Sequence, residues 1–295
     1  MTLGRPRRRL VGLVVAAVAA AALAGCGAQD GAVPAAAGAP SSAAARSALP
    51  SGHVHGIGRD PADGTLYLAT HEGLFRRASS AWQRVGPVID LMGFAVAGPG
   101  RFLASGHPGI GVDLPQPVGL IESRDGGQSW TVRSRGGASD FHTLTSWAKG
   151  VIGFDGRLRS TSDGASWREL SLDAEPRSVA SSPDGAAVLA TTAEGLRLST
   201  DHGASWRTAG SSPLLLLVAW ADARTAVGVT PEGQVALSTD AAKSWTSGAA
   251  TVADAPHALT ATRRPDGTLE ILVVSSAGIE QSLDSGASFT LLPAS

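Results

Sequence analysis

The sequence predicts an all-β protein, a six-bladed β-propeller made of four-stranded antiparallel blades. Three observations carry this prediction. An eight-residue segment recurs along the chain, the aromatic residues that end its copies are regularly spaced, and strand-like runs bounded by turns fill the intervals. Composition agrees. Of 295 residues, 43% are hydrophobic and 17% charged, enough apolar side chain for a core. The 37 glycines and 17 prolines are too much turn chemistry for a helical bundle.

The repeat sets the blade. Ser123-Arg124-Asp125-Gly126-Gly127-Gln128-Ser129-Trp130 recurs as Ser199-Thr200-Asp201-His202-Gly203-Ala204-Ser205-Trp206 and as Ser282-Leu283-Asp284-Ser285-Gly286-Ala287-Ser288-Phe289. Weaker copies are Ser238 to Trp245, carrying Asp240 with Ala242 in place of glycine, and Ser160 to Trp167, with its aspartate shifted to Asp163. A sixth, eroded copy ends at Trp82. The final aromatics at 82, 130, 167, 206, 245 and 289 lie 37 to 48 residues apart, room for four short strands each. Physically the segment is a turn between strands C and D. The aspartate accepts backbone N–H bonds, glycine takes a conformation other residues resist, and the aromatic packs into the blade. Asp125, Asp201, Asp240, Asp284, Trp130, Trp167, Trp206, Trp245 and Phe289 are therefore read as fold residues, not catalytic or calcium-binding ones.

The pattern S-x-D-x-G-x-x-W resembles the Asp-box (BNR) repeat of sialidase-like β-propellers. That resemblance implies the propeller fold over residues 50–295.

The N-terminal segments precede the fold. Arg5, Arg7, Arg8 and Arg9 lie before an apolar run from Leu10 to Leu23. That run is short for a membrane span of roughly 20 residues and has the layout of a signal peptide, residues 1–25. Leu23-Ala24-Gly25-Cys26 resembles the bacterial lipobox, which implies diacylation of Cys26 and an anchor on the extracytoplasmic face of the cell membrane. Two acyl chains hold where one would not. Residues 26–49 are almost wholly Ala, Gly, Ser and Pro and read as a flexible tether. The formal net charge of -1 gives a nucleic-acid partner no electrostatic basis. A single cysteine excludes an internal disulfide and a thiolate zinc site.

Within the blades, Thr65 to Thr70, Ala187 to Thr191 and Glu270 to Val274 are β-rich runs. Turns at Arg59 to Gly64, Ser182 to Gly185 and Arg264 to Gly267 precede them. Blade six carries its own last strand, Phe289 to Leu292.

Strand direction then sorts the histidines. In each blade, strand A starts at one face, and the B–C connection lies there too; the C–D turn lies opposite. His53, His55, His142 and His257 open A strands, and His71 and His107 end B strands. Only His202 sits in a C–D turn, so six of seven histidines share a face. Repeat alignment makes His53, Asp90 and Asp140 equivalent, and likewise His55, Met92, His142, Arg177 and His257. Such positions converge around the central channel. The expected metal set is His53, His55, His71, His107, His142, Met92, Asp90 and Asp140, with Arg177 and His257 on the ligand rim. Imidazole suits zinc and copper, and a thioether favours copper. A polar ligand pocket without metal and a structurally filled channel are the other readings. Trp147 and Trp220 end A strands away from this rim and are expected in the core.

The H-V-H-G, S-G-H-P-G and D-F-H segments resemble those of bacterial lipoproteins with sialidase-like or glycosyl-hydrolase-like propellers. Sialidases, however, use a tyrosine nucleophile with a glutamate and an arginine triad. Tyr67 is the one tyrosine here and sits mid-strand, and the Phe-Arg-Ile-Pro segment is missing. A two-carboxylate glycoside hydrolase using Asp90, Asp140 or Glu72 is the enzymatic alternative. A scaffold for protein assembly is another. Metal or ligand binding without catalysis is the favoured reading.

Overall fold

The computed structural model describes residues 49–293 apart from Gly52 and Ser80. The expected signal peptide, Cys26 and nearly all of the tether lie outside the described residues. Blade one holds β1 (Val54–Arg59), β2 (Leu66–Thr70), β3 (Gly73–Ala78) and β4 (Ala81–Val85). Blade two holds β5 (Ile89–Gly98), β6 (Arg101–Pro108), β7 (Leu120–Ser123) and β8 (Thr131–Ser134). Blade three follows with β9 (Thr143–Trp147), β10 (Gly150–Phe154), β11 (Leu158–Thr161) and β12 (Arg168–Glu169). Blade four is β13 (Ser178–Ser181), β14 (Val188–Thr192), β15 (Gly195–Ser199) and β16 (Arg207–Thr208). Blade five is β17 (Leu217–Trp220), β18 (Ala226–Val229), β19 (Gln234–Ser238) and β20 (Thr246–Thr251). Blade six is β21 (Ala258–Arg263), β22 (Leu269–Ser275), β23 (Gly278–Ser282) and β24 (Thr290–Leu291). Each blade is one antiparallel sheet in sequence order. The six-bladed, four-stranded propeller is what the repeat predicted.

The turn chemistry is the predicted one. Asp201 Oδ1 accepts from Ser205 N at 2.8 Å and from Ser199 Oγ at 2.7 Å, and Ser199 Oγ accepts from Gly203 N at 2.8 Å. The same bonds recur around Asp125, Asp240 and Asp284. Two copies differ from the sequence reading. In blade three the hydroxyl anchor is Thr161, not Ser160: Thr161 Oγ1 donates to Asp163 at 2.9 Å and accepts from Gly164 N. The aspartate is not displaced; the turn is one residue shorter. In blade one, β3 and β4 join by a tight hairpin in which Ala78 pairs with Ala81, so no aspartate turn precedes Trp82.

The cores explain why the aromatic outlives the turn. Six apolar clusters fill the six seams between adjacent blades. Trp130, Trp167, Trp206, Trp245 and Phe289 each occupy the seam between their own blade and the preceding one. Trp82 does the same between blades one and six. Blade six keeps its own fourth strand, as expected, and the ring closes by packing rather than by strand exchange. At that seam Arg59 forms a two-toothed pair with buried Glu270, at 2.7 and 2.9 Å. Trp220 is buried as predicted, its Nε1 donating to Ala180 O at 3.2 Å. Trp147 packs against the core between blades three and four, as expected, but is only half-buried and stacks on His202, ring centroids 5.3 Å apart.

Candidate metal centre

The site lies on the face where A strands begin. Two bulges shape it. The β1–β2 register shifts between Val54 and Gly56, and the β5–β6 register shifts between Leu91 and Gly93. His55 and Met92 are the extra residues at these shifts, and a bulge re-aims the side chain it carries. Opposite the second bulge, Gly106 has φ 144°, and a Cβ there would stand 1.8 Å from Asp90 O. Glycine is required at that point of Ser105-Gly106-His107.

In blade three the anchor is Phe141. It is fully buried, stacks on Trp167 at 4.8 Å, and its N donates to the buried Ser105 Oγ at 2.8 Å. With Phe141 pinned in the seam, its neighbours Asp140 and His142 are left at the rim.

The predicted residues form two overlapping groups. His53, His55, Met92, His142, Arg177 and His257 line an axial cavity of about 270 Å³. The set aligned with His55 thus lines one cavity, whereas of the set aligned with His53, Asp90 and Asp140 do not line it. Leu216 is the blade-five counterpart, since its N donates to Val229 O as His142, Arg177 and His257 donate to their own B strands.

Three of the cavity residues, His53, His55 and His142, also join His71, Asp90, His107 and Asp140 in a chain of imidazoles and carboxylates across blades one to three. His55 Nε2 faces His71 Nε2 at 3.2 Å. His71 Nδ1 donates to Asp90 Oδ1 at 2.8 Å. His107 Nδ1 is 4.0 Å from Asp90 Oδ2, and its Nε2 is 3.6 Å from Asp140 Oδ2. His142 Nε2 donates to that same Asp140 oxygen at 2.8 Å. His53 stands edge-on to His71, centroids 5.1 Å apart. Among the described residues, His55, His71 and Asp90 are the trio whose donor atoms gather within reach of one ion.

Electrostatics favour neutral imidazole at the centre of this trio. Burial and the neighbouring His71 hold the His55 pKa below its ordinary value. Because His71 Nδ1–H donates to Asp90, His71 Nε2 of the neutral ring presents its lone pair toward His55. Two nitrogens bound tetrahedrally at about 2.0–2.1 Å from a metal stand roughly 3.3 Å apart. The 3.2 Å facing pair already has that spacing. Asp90 behind His71 is the carboxylate–histidine arrangement that fixes a ligating ring's tautomer.

The enzymatic alternatives fare differently. Glu72 is exposed beside this group, and its hydrogen bond with the Ser51 side chain holds its carboxyl below the usual value. Tyr67 is buried in β2, edge-on to Phe102 at 4.7 Å, and burial raises its pKa. What sequence reasoning missed is the supporting structure: the buried Ser105 hydroxyl and the two bulges. The Ser-Gly-His run was the one available signal.

No family model and no curated protein matches the sequence. Solved structures match by fold. An ancestral GH74 enzyme aligns at TM-score 0.55 and 15% identity, over 81% of this chain and 38% of its own. The GH74 xyloglucanase from Xanthomonas campestris aligns at TM-score 0.54 and 17% identity, over 81% and 38%. This chain thus spans well under half the length of either enzyme. A gluconolactonase from Xanthomonas campestris aligns at TM-score 0.60 and 12% identity, over 78% of this chain and 85% of its own. At these identities the likeness is one of fold: the chain is a β-propeller similar in architecture to these proteins.

Proposed function

We propose that this propeller binds a transition-metal ion, copper or zinc, through His55 and His71, with Asp90 orienting His71. The facing Nε2 pair, backed by the Asp90 hydrogen bond, is the observation that carries this reading. His53 stands edge-on to His71, and the cavity that His53 and His55 line gives an ion access from solvent. Nitrogen and oxygen donors of this kind suit zinc and copper(II). Met92 lines the cavity and supplies the thioether that would favour copper. The role is binding rather than catalysis. The GH74 likeness is one of fold alone, and a two-carboxylate glycoside hydrolase needs one carboxyl kept protonated as its general acid. Glu72 is held in the opposite direction, and Asp90 and Asp140 are engaged by imidazoles.

The protein performs this role outside the membrane, held there by lipidated Cys26. In cell fractionation, Cys26→Ser moves the protein from the membrane to the soluble fraction; retention on membranes after a salt wash contradicts the anchor.

Calorimetric titration of the apo protein with Cu²⁺ and Zn²⁺ tests the metal site. At least one ion binds tighter than about 10 μM, near -7 kcal/mol. It raises the melting temperature, because it binds only the folded state. The His55→Ala/His71→Ala variant loses this binding. Wild-type protein that binds neither ion at that level overturns the proposal.

A further inference from the structure

The axial cavity carries chemistry that the metal site leaves unused. Its volume is about 270 Å³, and no aspartate or glutamate lines it. Blades three, four and six present His142, Arg177 and His257 to it at equivalent positions. The backbone N of each donates to its own B strand, to Phe154 O at 2.9 Å, Thr191 O at 2.8 Å and Val274 O at 2.7 Å. Arg177 is exposed, and among the described residues neither it nor His257 belongs to an ion pair. Asp140, the partner of His142, does not line the cavity. A guanidinium without a carboxylate in a concave site favours an anion. Its planar fork matches a carboxylate with two parallel bonds, and neutral imidazoles add N–H donors.

The cavity changes character with depth. Two residues further along an A strand the side chain returns to the same face, about 6.6 Å deeper at the ordinary strand rise. At that level the six blades contribute Ile57, Phe94, Leu144, Val179, Val218 and Leu259, and all six line the cavity. The site is thus cationic at its mouth and apolar beneath. A bare inorganic anion would leave the apolar ring against water, and an uncharged apolar molecule would leave the guanidinium without a partner.

We propose that the axial cavity binds a small organic carboxylate, its head group held by Arg177 with His142 and His257 as further N–H donors, and its apolar body against the six-residue ring. Sites for drug-sized ligands run from roughly 300 to 1,000 Å³, so this cavity takes a short acid and not an oligomer. The inference stands apart from the metal reading, because Arg177, His142 and His257 are not ligands of the ion assigned to His55 and His71.

The test is ligand-observed NMR titration of the full chain, stripped of metal and freed of chelator, with hexanoate and benzoate. Hexanol, benzyl alcohol and inorganic phosphate serve as comparisons. At least one acid binds, while its alcohol and phosphate each bind more weakly by about tenfold, the scale of one charge-assisted hydrogen bond. Arg177→Gln loses affinity for that acid by a similar factor; it alters an exposed side chain, and a melting curve confirms its fold. Zinc titration of wild type and variant reads the metal site separately. Neither acid binding wild type below about 10 mM overturns the proposal, and with zinc binding intact it leaves the metal reading standing. Equal affinity of the acid for wild type and Arg177→Gln, or of acid and alcohol for wild type, overturns carboxylate recognition. Phosphate binding as tightly as the acid overturns the organic body. Acid binding without zinc binding supports this site and overturns the metal reading alone.

Discussion

At the scale of single residues, the glycines of the aspartate turns show how backbone conformation and packing add. Gly203 has φ 82°, and a Cβ there would stand 2.6 Å from Leu170 Cδ1. Gly286 has φ 85°, but its nearest neighbour would be 3.4 Å away. Both substitutions force a side chain into the left-handed region, at about 1–2 kcal/mol. Only the first also overpacks the core, which adds about 1–3 kcal/mol. Denaturant melts should therefore rank Gly203→Ala as clearly more damaging than Gly286→Ala. Equal losses would mean that backbone strain alone sets the cost. Ala242 shows the limit of the rule, because it occupies the equivalent place with φ 62° and is fully buried. Sequence spacing made these positions recognisable as turns. It carried no information on which neighbour a Cβ would strike, since that atom belongs to another blade.

The aspartate turn is the element that repeats, and its carboxylates tie stability to pH. Hydrogen bonds from the Ser205 hydroxyl and backbone lower the Asp201 pKa to about 2, and the equivalent bonds from Ser288 lower Asp284 to about 2. Unfolded aspartates titrate near roughly 3.9. A group whose pKa is depressed on folding contributes stability in full above its unfolded pKa and loses it as pH falls through the folded value. The protein should thus lose stability progressively between about pH 4 and pH 2. Asp201→Asn should flatten that part of the profile, with little change in slope above pH 5. A slope identical to that of wild type between pH 4 and 2 would refute the assignment. Four of the five aspartate turns were legible as written. The blade-three turn was misread at Ser160 because a one-residue deletion and a shifted aspartate look alike in sequence; the hydrogen bonds of Thr161 distinguish them. The elements that aim the site were not legible. A bulge at His55 or Met92 depends on the register of the partner strand, and the Phe141 anchor depends on Ser105, 36 residues away.

For the whole molecule, the question is how a ring with no shared strand stays closed. The seam between blades one and six is apolar like the others, with Trp82 in the place of the turn aromatics. It adds the Arg59–Glu270 pair, in which Glu270 is 2% exposed and Arg59 27%. Removing the guanidinium leaves a buried carboxylate with Gln281 Nε2 at 2.6 Å and the Thr262 hydroxyl as its remaining partners. Breaking a buried pair costs about 3–5 kcal/mol, and the partial exposure of Arg59 puts the expected loss near the lower end. Arg59→Ala should therefore lower the unfolding free energy by about 3 kcal/mol. A loss under about 1 kcal/mol would show that apolar packing alone closes the ring. Blade number and histidine face followed from the repeat, because pseudosymmetry brings aligned positions to one axis. The imidazole–carboxylate chain was less legible. The candidate residues were named, but nothing in their spacing paired His71 with Asp90 or His107 with Asp140 across seams. Metal-edge X-ray absorption of the protein loaded with one equivalent of zinc or copper tests the central claim most directly. At least two imidazole nitrogens should lie about 2.0–2.1 Å from the metal, and fewer in the His55→Ala/His71→Ala variant; oxygen neighbours alone, or neighbours unaltered in that variant, would rule the site out.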